Sequence, residues 1–150
     1  MPDEDLVVAF LDMVENHKMI VENSGLLTVA ALKQLNVKNK RVVSILSGGN
    51  MDVITMSSVV QQGLIMRDRI FTVSVLLPDK PGELSRVADV IAKKNGNVIK
   101  LEHNQFVSIN RNAAVELRIT LEAFGTEHKN QIIEALNESG YKPKLVQAKI

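Results

Sequence analysis

The sequence predicts an α+β protein: a four-stranded βαββαβ domain over residues 70–150, preceded by an incomplete α/β segment over residues 1–53. Apolar and polar residues alternate over Phe71–Leu77 and again over Ala113–Leu121, as in strands that have one face in water. Apolar residues at helical spacing follow each of these two strands. The second half of the chain therefore repeats a strand–helix unit.

The first 53 residues predict two helices and one buried strand. Residues 3–18 carry apolar side chains at i, i+3, i+4 and i+7, with Asp3 as the expected N-cap. Ser24 is the expected cap of a second helix. The β-branched run Val42–Leu46 is predicted to be a strand buried on both faces, ending at the turn Ser47–Asn50. Since one strand cannot close a sheet, we expect this segment to need partners outside the 150 residues.

Residues 54–69 are predicted to be a linker that contains a short apolar helix near Met56–Gln61. After the strand that begins the second half, Pro81 is expected in the first turn of a helix, where its missing N–H is harmless. That helix should end at Asn95-Gly96. Its expected apolar face consists of Leu84, Val87, Ala88 and Ile91.

The remaining elements complete the order β-α-β-β-α-β. They are a strand over residues 97–108, a hairpin turn at Asn110–Asn112, a strand ending at Glu122, a helix opening at Gly125 and a strand over Tyr141–Val146. This order is the ferredoxin-like plan, in which an antiparallel sheet carries both helices on one face. The other face is left bare, and covering it is a reason for two copies to pair.

Composition excludes several classes of function. The net charge is +1 and Lys and Arg are scattered, so we expect no nucleic-acid partner. No apolar run approaches the roughly 20 residues that span a bilayer, so no membrane partner is expected. The absence of cysteine fits a cytoplasmic protein and excludes thiolate chemistry. The three histidines are spread over separate elements, and we assign neither a metal site nor a catalytic residue.

The turn Ser47-Gly48-Gly49 is the first candidate site. Ligands of open α/β sheets collect at the carboxyl ends of strands, and small residues there let a flat ring approach the backbone. The Ser47 hydroxyl could satisfy a ring nitrogen. A plain glycine turn explains the same residues, and the residues alone favour that simpler interpretation.

The turn between Leu77 and Leu84 is the second candidate site. The amides of Gly82 and Glu83 are expected to lack partners within the helix, and together with the helix dipole they would attract a carboxylate. A stiff, proline-bracketed turn that merely starts the helix is the alternative. The two interpretations are compatible.

Three stretches resemble one enzyme family. Residues 42–53, VVSILSGGNMDV, and the upstream KMIVENSGLLTVAAL resemble the end of the catalytic domain of threonine ammonia-lyases, which are pyridoxal-phosphate enzymes. Residues 78–99, PDKPGELSRVADVIAKKNGNVI, resemble the opening of ACT domains, which are small amino-acid-sensing modules. The combination implies the C-terminal part of a threonine ammonia-lyase, with residues 70–150 as its ACT domain.

The resemblance implies a role for the first site. In this family the serine that matches Ser47 lies at the pyridine nitrogen of pyridoxal phosphate, beside the glycines that match Gly48 and Gly49. The parent enzyme would convert threonine into 2-oxobutanoate and ammonia. The family's Schiff-base lysine and phosphate loop belong to an upstream segment. We therefore expect this chain alone to be inactive and to bind no cofactor.

The resemblance also implies an effector site between two copies of the ACT domain. The matching positions are Asp79, Lys80, Gly82, Glu83 and Asn97, and the implied effector is an amino acid of the isoleucine or valine class. A homodimer or higher homo-oligomer follows, in which the effector biases the attached catalytic domains. Two other hypotheses are a purely structural ACT dimerisation module without an effector, and an intact small enzyme.

Overall fold

The structure is a computed structural model that describes residues 2–104 and 114–148. The chain divides into two compact units, Met1–Gly63 and Leu64–Ile150, and each unit has its own apolar core. The expected continuation of a strand beyond Asn104 and the expected hairpin turn at Asn110–Asn112 lie outside the described residues.

The first unit is built from helices. Helix α1 spans Asp3–Asp12 and continues as one π-helical turn over Met13–His17. A 3₁₀ turn over Asn23–Leu26 leads into helix α2, Leu27–Leu32, and helix α3 spans Val53–Met66. The buried residues that form the core of this unit are Val7, Ala9, Phe10, Met13, Val21, Leu26, Ala30 and Val59.

The predicted strand over Val42–Leu46 is wrong. Residues 2–63 contain no strand, and the segment is irregular. Val43 is 88% exposed and Ile45 is 76% exposed, so the run is not buried on both faces either. A strand forms only where a neighbouring strand accepts its backbone hydrogen bonds, and the described part of this unit offers none.

Helix termini in this unit also differ from expectation. Pro2 is the N-cap of α1 and Asp3 is its first residue. The Ser24 hydroxyl donates to the Glu22 carboxylate, with an O–O distance of 2.6 Å, and caps no helix. Helix α3 is longer than predicted because Asp52 caps it: its Oδ1 accepts from the Thr55 amide at 2.9 Å.

The second unit contains a four-stranded antiparallel sheet. The strands are β1 over Ile70–Pro78, β2 over Asn97–Asn104, β3 over Ala114–Glu122 and β4 over Lys144–Val146. Their order in the sheet is β2-β3-β1-β4, and every adjacent pair is antiparallel. The predicted ferredoxin-like βαββαβ plan and the α+β class are confirmed.

Two helices cover one face of this sheet. They are α4 over Glu83–Lys93 and α5 over Thr126–Glu138. Odd-numbered residues of β1 and β3 point toward the helices and form the core with them. The buried members are Phe71, Val73, Val75, Leu77, Val87, Ile91, Leu117, Ile119, Leu121, Ala123, Ile132 and Leu136.

The start of α4 corrects one expectation. Pro81 lies outside the helix, which begins at Glu83, and Gly82 is its N-cap with φ 91°. Among the expected apolar face, Val87 and Ile91 are buried, whereas Leu84 is 43% exposed and Ala88 is exposed. The buried stripe of the helix is therefore narrower than the apolar pattern suggested.

Two strands differ from expectation, one in its length and one in its burial. The last strand is shorter than Tyr141–Val146 and covers only Lys144–Val146. Strand β1 is buried on both faces over most of its length, because Thr72 and Ser74 are buried as well as their apolar neighbours. The Thr72 hydroxyl is satisfied by the Thr120 hydroxyl of β3, with an O–O distance of 2.9 Å.

An ionic cluster at Asp68 connects the start of β1 to α5. Asp68 Oδ1 accepts from Lys129 Nζ at 2.6 Å, and its Oδ2 accepts from the Thr126 hydroxyl at 2.8 Å. The Lys129 hydrogen bond first, and the Thr126 bond second, hold the pKa of Asp68 below its ordinary value of 3.8. Its stabilising effect is therefore present above pH 3.8 and is lost as the pH falls through the lowered pKa.

We expect Asp68→Asn to lower the free energy of unfolding by about 1 kcal/mol at pH 7, since the amide keeps an acceptor oxygen but carries no charge to attract the Lys129 ammonium group. Asn accommodates the left-handed backbone at this position, where φ is 53°. Urea unfolding at pH 7 and at about pH 3 measures the effect. The difference between the two proteins should shrink at the lower pH. A difference independent of pH would contradict the assignment to the carboxylate charge.

Candidate functional site

The first candidate site, Ser47-Gly48-Gly49, is a turn that packs against the chain before α2. The Glu22 amide donates to the Gly48 carbonyl at 3.2 Å. Gly25 lies so close to the Ser47 carbonyl that a Cβ at position 25 would overlap it. Gly48 has φ 85°, and a Cβ there would overlap the Glu22 carboxylate. The close backbone contact at Gly25 and the left-handed backbone at Gly48 are both features that glycine allows.

This turn does not by itself fit pyridoxal phosphate. Ser47, Gly48 and Gly49 are all exposed, and they do not follow a strand. A flat cofactor needs a cleft that covers most of its surface, whereas these three residues form only one side of such a cleft. We therefore derive no chemical step through this group, and the expected cofactor contacts at the three residues stay a prediction.

The second candidate site is the turn from Pro78 to Glu83. Asp79, Lys80 and Gly82 are exposed, and a Cβ at Gly82 would meet nothing within 4 Å, so the approach to the backbone is open. The Glu83 amide donates to the Lys80 carbonyl at 3.4 Å, so it has a partner in the turn although none within the helix. The Glu83 carboxylate also has a partner: its Oε1 accepts from Arg86 Nη1 at 2.9 Å.

Asn97 lies far from that turn within one chain. It pairs with Glu122, which pairs with Ile70 at the first residue of β1, whereas the turn follows Pro78 at the last residue of β1. Eight residues of strand separate the two ends, which corresponds to about 26 Å. Asn97 Nδ2 donates to Glu122 Oε2 at 3.2 Å. One copy of the chain therefore does not bring Asn97 together with Asp79, Lys80, Gly82 and Glu83.

A surface cleft of about 520 Å³ surrounds His128 at the start of α5. The imidazole Nδ1 accepts from the Phe124 amide at 3.1 Å, and Nε2 lies 2.6 Å from the Lys94 carbonyl, which it must reach as a donor. The Phe124 ring stacks on the imidazole with centroids 4.9 Å apart. Both ring nitrogens are thus engaged with the backbone, and His128 connects the end of α4 to the start of α5 rather than offering a free base.

A second cleft, of about 470 Å³, lies on the face of the sheet that the helices leave open. The residues that line it are Ser74, Leu76, Glu116, Gly140, Lys142 and Lys144. Sequence reasoning did not single out any of them. The alternation in β1 and β3 placed Ser74 and Glu116 on the wet face, but only the strand register shows that Lys144 lies opposite Ser74 and Glu116 opposite Leu76.

Membrane-spanning helices and clusters of metal-binding side chains would indicate two other kinds of partner. Across residues 2–104 and 114–148, no helix combines the length and apolar character that crossing a membrane requires. The same residues bring together no group of three or more side chains of the kinds that hold metal ions.

Sequence comparison finds curated relatives along almost the whole chain. L-threonine ammonia-lyase of Geobacter sulfurreducens is 35% identical over 141 residues, which are 93% of this chain and 35% of that enzyme. L-threonine ammonia-lyase of Thermotoga maritima is 29% identical over 145 residues, 96% of this chain and 36% of that enzyme. A biosynthetic L-threonine dehydratase of Mycobacterium leprae is 32% identical over 137 residues, 83% of this chain and 32% of that enzyme.

No protein-family model matches the chain. Among solved structures, the ACT domain of prephenate dehydrogenase from Bacillus anthracis has a TM-score of 0.38 and 22% identity, covering 49% of this chain and 99% of that domain. The chain spans about a third of the length of the curated relatives it matches. Over more than nine-tenths of its length, this chain is related in sequence to part of the L-threonine ammonia-lyases, as the resemblance indicated.

Proposed function

We propose that this chain is the regulatory portion of a threonine ammonia-lyase, whose parent enzyme converts L-threonine into 2-oxobutanoate and ammonia with pyridoxal phosphate. The observation that carries the proposal is the 35% identity to an L-threonine ammonia-lyase over 93% of the chain. The βαββαβ unit, with an open strand–turn–helix at Gly82, supports the regulatory role. In this role residues 70–150 act as an ACT domain.

The effector site of this proposal is formed by two copies of the chain. Because Asn97 lies at the opposite end of the sheet from the turn at Gly82, both can touch one small ligand only if they come from different copies. Strand β2, which carries Asn97, supports such pairing: it is an edge of the sheet, and Val98 and Leu101 are 40% and 43% exposed. The effector in this proposal is isoleucine or valine.

Mixing two variants that each fail to bind the effector tests the two-copy site. We expect Gly82→Val and Asn97→Ala each to abolish isoleucine and valine binding in calorimetry, because each spoils every site of its own homodimer. After subunit exchange, about half of the dimers should be mixed, and one of the two sites in each should be intact. Binding should return to about a quarter of the sites.

The mixing experiment and its wild-type control have three informative outcomes. Recovery of binding supports a site shared between copies. Binding that never recovers, although sedimentation shows mixed dimers, would contradict the shared site. A wild-type dimer that binds no amino acid would instead favour a purely structural dimerisation module, for which the exposed β2 edge is the supporting feature.

The proposal also covers activity and location. The turn at Ser47 supplies only one exposed edge for a cofactor ring. We therefore propose that these 150 residues alone neither turn over threonine nor hold pyridoxal phosphate productively. We also propose that the protein works in the cytoplasm. An assay of ammonia release from L-threonine with added pyridoxal phosphate checks the first part. Sustained release by the purified chain would overturn it.

A further inference from the structure

The open face of the sheet consists of the side chains of β1 and β3 that point away from α4 and α5. On β1 they are Thr72, Ser74 and Leu76, and on β3 they are Glu116, Arg118 and Thr120. The register sets them side by side, with Leu76 opposite Glu116 and Ser74 opposite Arg118. Five of these six side chains are polar, and Leu76 is the one apolar member.

The cleft on this face exists because β4 is short. Lys144, the first residue of β4, pairs with Ser74, so Leu76 lies two residues beyond the end of that pairing. The segment from Gly140 to Lys142 passes beside Leu76 without joining the sheet, and Gly140 turns there with φ 86°. A concavity of about 470 Å³ results, within the size range of small-molecule sites.

One wall of the cleft presents the Glu116 carboxylate, whose charge is partly offset by Arg118. Glu116 Oε1 accepts from the Ser74 hydroxyl at 2.7 Å and lies 3.2 Å from Arg118 Nε. The Ser74 hydrogen bond first, and the Arg118 bond second, lower the pKa of Glu116, so the group is a carboxylate at neutral pH. Two partners on Oε1 leave acceptor positions on Oε2, where Asn104 Nδ2, the partner found within residues 2–104 and 114–148, makes a long contact of 3.5 Å.

The opposite rim of the cleft presents two positive charges. Lys142 and Lys144 are both exposed, and both line the cleft. Leu76 also lines the cleft and is 57% exposed, so it offers an aliphatic contact surface. One acidic group, two ammonium groups and an aliphatic contact thus converge on one small concavity.

We propose that this cleft binds a free aliphatic α-amino acid within a single copy of the chain. The ligand's α-carboxylate meets Lys142 and Lys144, its α-ammonium group meets Glu116, and its side chain covers Leu76. A simple anion would meet the two lysines and would leave the Glu116 carboxylate without a cation from the ligand. This site is separate from the turn at Gly82 and from Asn97, and it does not depend on the proposed function.

Amide chemical shifts of the ¹⁵N-labelled full chain, titrated with L-valine to about 20 mM, test the site. We expect the Ser74, Leu76 and Lys144 amides to shift together with one dissociation constant on the order of 1 mM. Two ligands that each lack one charge serve as controls. Both 3-methylbutanoate, without the ammonium group, and 2-methylpropan-1-amine, without the carboxylate, should bind roughly ten-fold more weakly.

Two double variants separate specific contacts from net charge. Lys142→Gln with Lys144→Gln should weaken L-valine binding roughly ten-fold. Lys38→Gln with Lys40→Gln removes the same charge from the other unit, and it should leave the dissociation constant unchanged. The dispersion of the same spectra reports whether each variant is folded.

Each contrary result overturns the inference. Shifts at Gly82 and Asn97 with none at Ser74, Leu76 and Lys144 would reject this cleft and leave the effector proposal standing. No shift at any of these amides would reject both. Equal binding of 3-methylbutanoate and L-valine would reject an amino-acid site in favour of a simple anion site.

Discussion

Replacing Gly25 by alanine is expected to detach the Ser47–Gly49 turn from the chain that precedes α2. The added Cβ would overlap the Ser47 carbonyl oxygen, which is a backbone atom and cannot rotate away as a side chain can. It would also lie 2.8 Å from Val21 Cγ1. We expect the unfolding free energy of the first unit to fall by about 3 kcal/mol or more, in the range of overpacked sites with lost hydrogen bonds.

Two readouts check the Gly25 prediction. Urea unfolding reports the loss of stability, and hydrogen exchange at the Glu22 amide reports the detachment directly, because this amide donates to the Gly48 carbonyl in the intact turn. Gly49→Ala is the matched control: a Cβ at Gly49 meets nothing within 4 Å. If both variants were equally stable, close packing at Gly25 would not be what holds the turn.

The second half of the chain follows its sequence pattern closely. Alternation over β1 and β3 identified both central strands, and the helix after each was found from its apolar spacing. These patterns succeed because the unit supplies its own strand partners and buries its own apolar face. Alternation could not give the register of the strands or the short length of β4, and the cleft that Lys144 and Glu116 share depends on both.

The first half of the chain shows where sequence reasoning failed. A β-branched run such as Val42–Leu46 has strand propensity, but propensity is weak unless a neighbouring strand accepts hydrogen bonds. The clustering of Phe10, Leu26 and Val59 into a core was not predicted either, because these positions come from three separate segments and no local pattern connects them. The glycine turn was found from its composition, and its contact with Gly25 was not.

The assignment of Asn97 shows a second limit of reasoning from the sequence of one copy. The resemblance identified Asp79, Lys80 and Gly82 as one cluster, and the structure has them on one exposed turn. It also assigned Asn97 to the same site, and the strand register sets Asn97 at the far end of the sheet. A site assembled from two copies leaves no sign in the local sequence of one copy. Its test is therefore the mixing of two variants rather than a single substitution.

Leu117→Ala is the substitution expected to destabilise the second unit most clearly. Leu117 is fully buried at the centre of β3, where it is paired with Val75 on one side and His103 on the other. Truncation removes three methyl-sized groups from a core closed by α4 and α5 and leaves a cavity that the sheet cannot collapse to fill. The expected loss is about 3–4 kcal/mol of unfolding free energy, measured as a lower urea midpoint at an unchanged slope.

Leu76→Ala provides the matched control for that measurement. Leu76 lies on the adjacent strand β1 but on the open face, and 57% of its side chain is exposed. Both variants lose the same atoms from a strand residue, so the difference between them measures the effect of burial rather than of strand propensity. We expect Leu76→Ala to lower the free energy of unfolding by less than about 0.5 kcal/mol. Equal losses in the two variants would mean that the open face is covered in solution, which would in turn close the cleft that Leu76 lines.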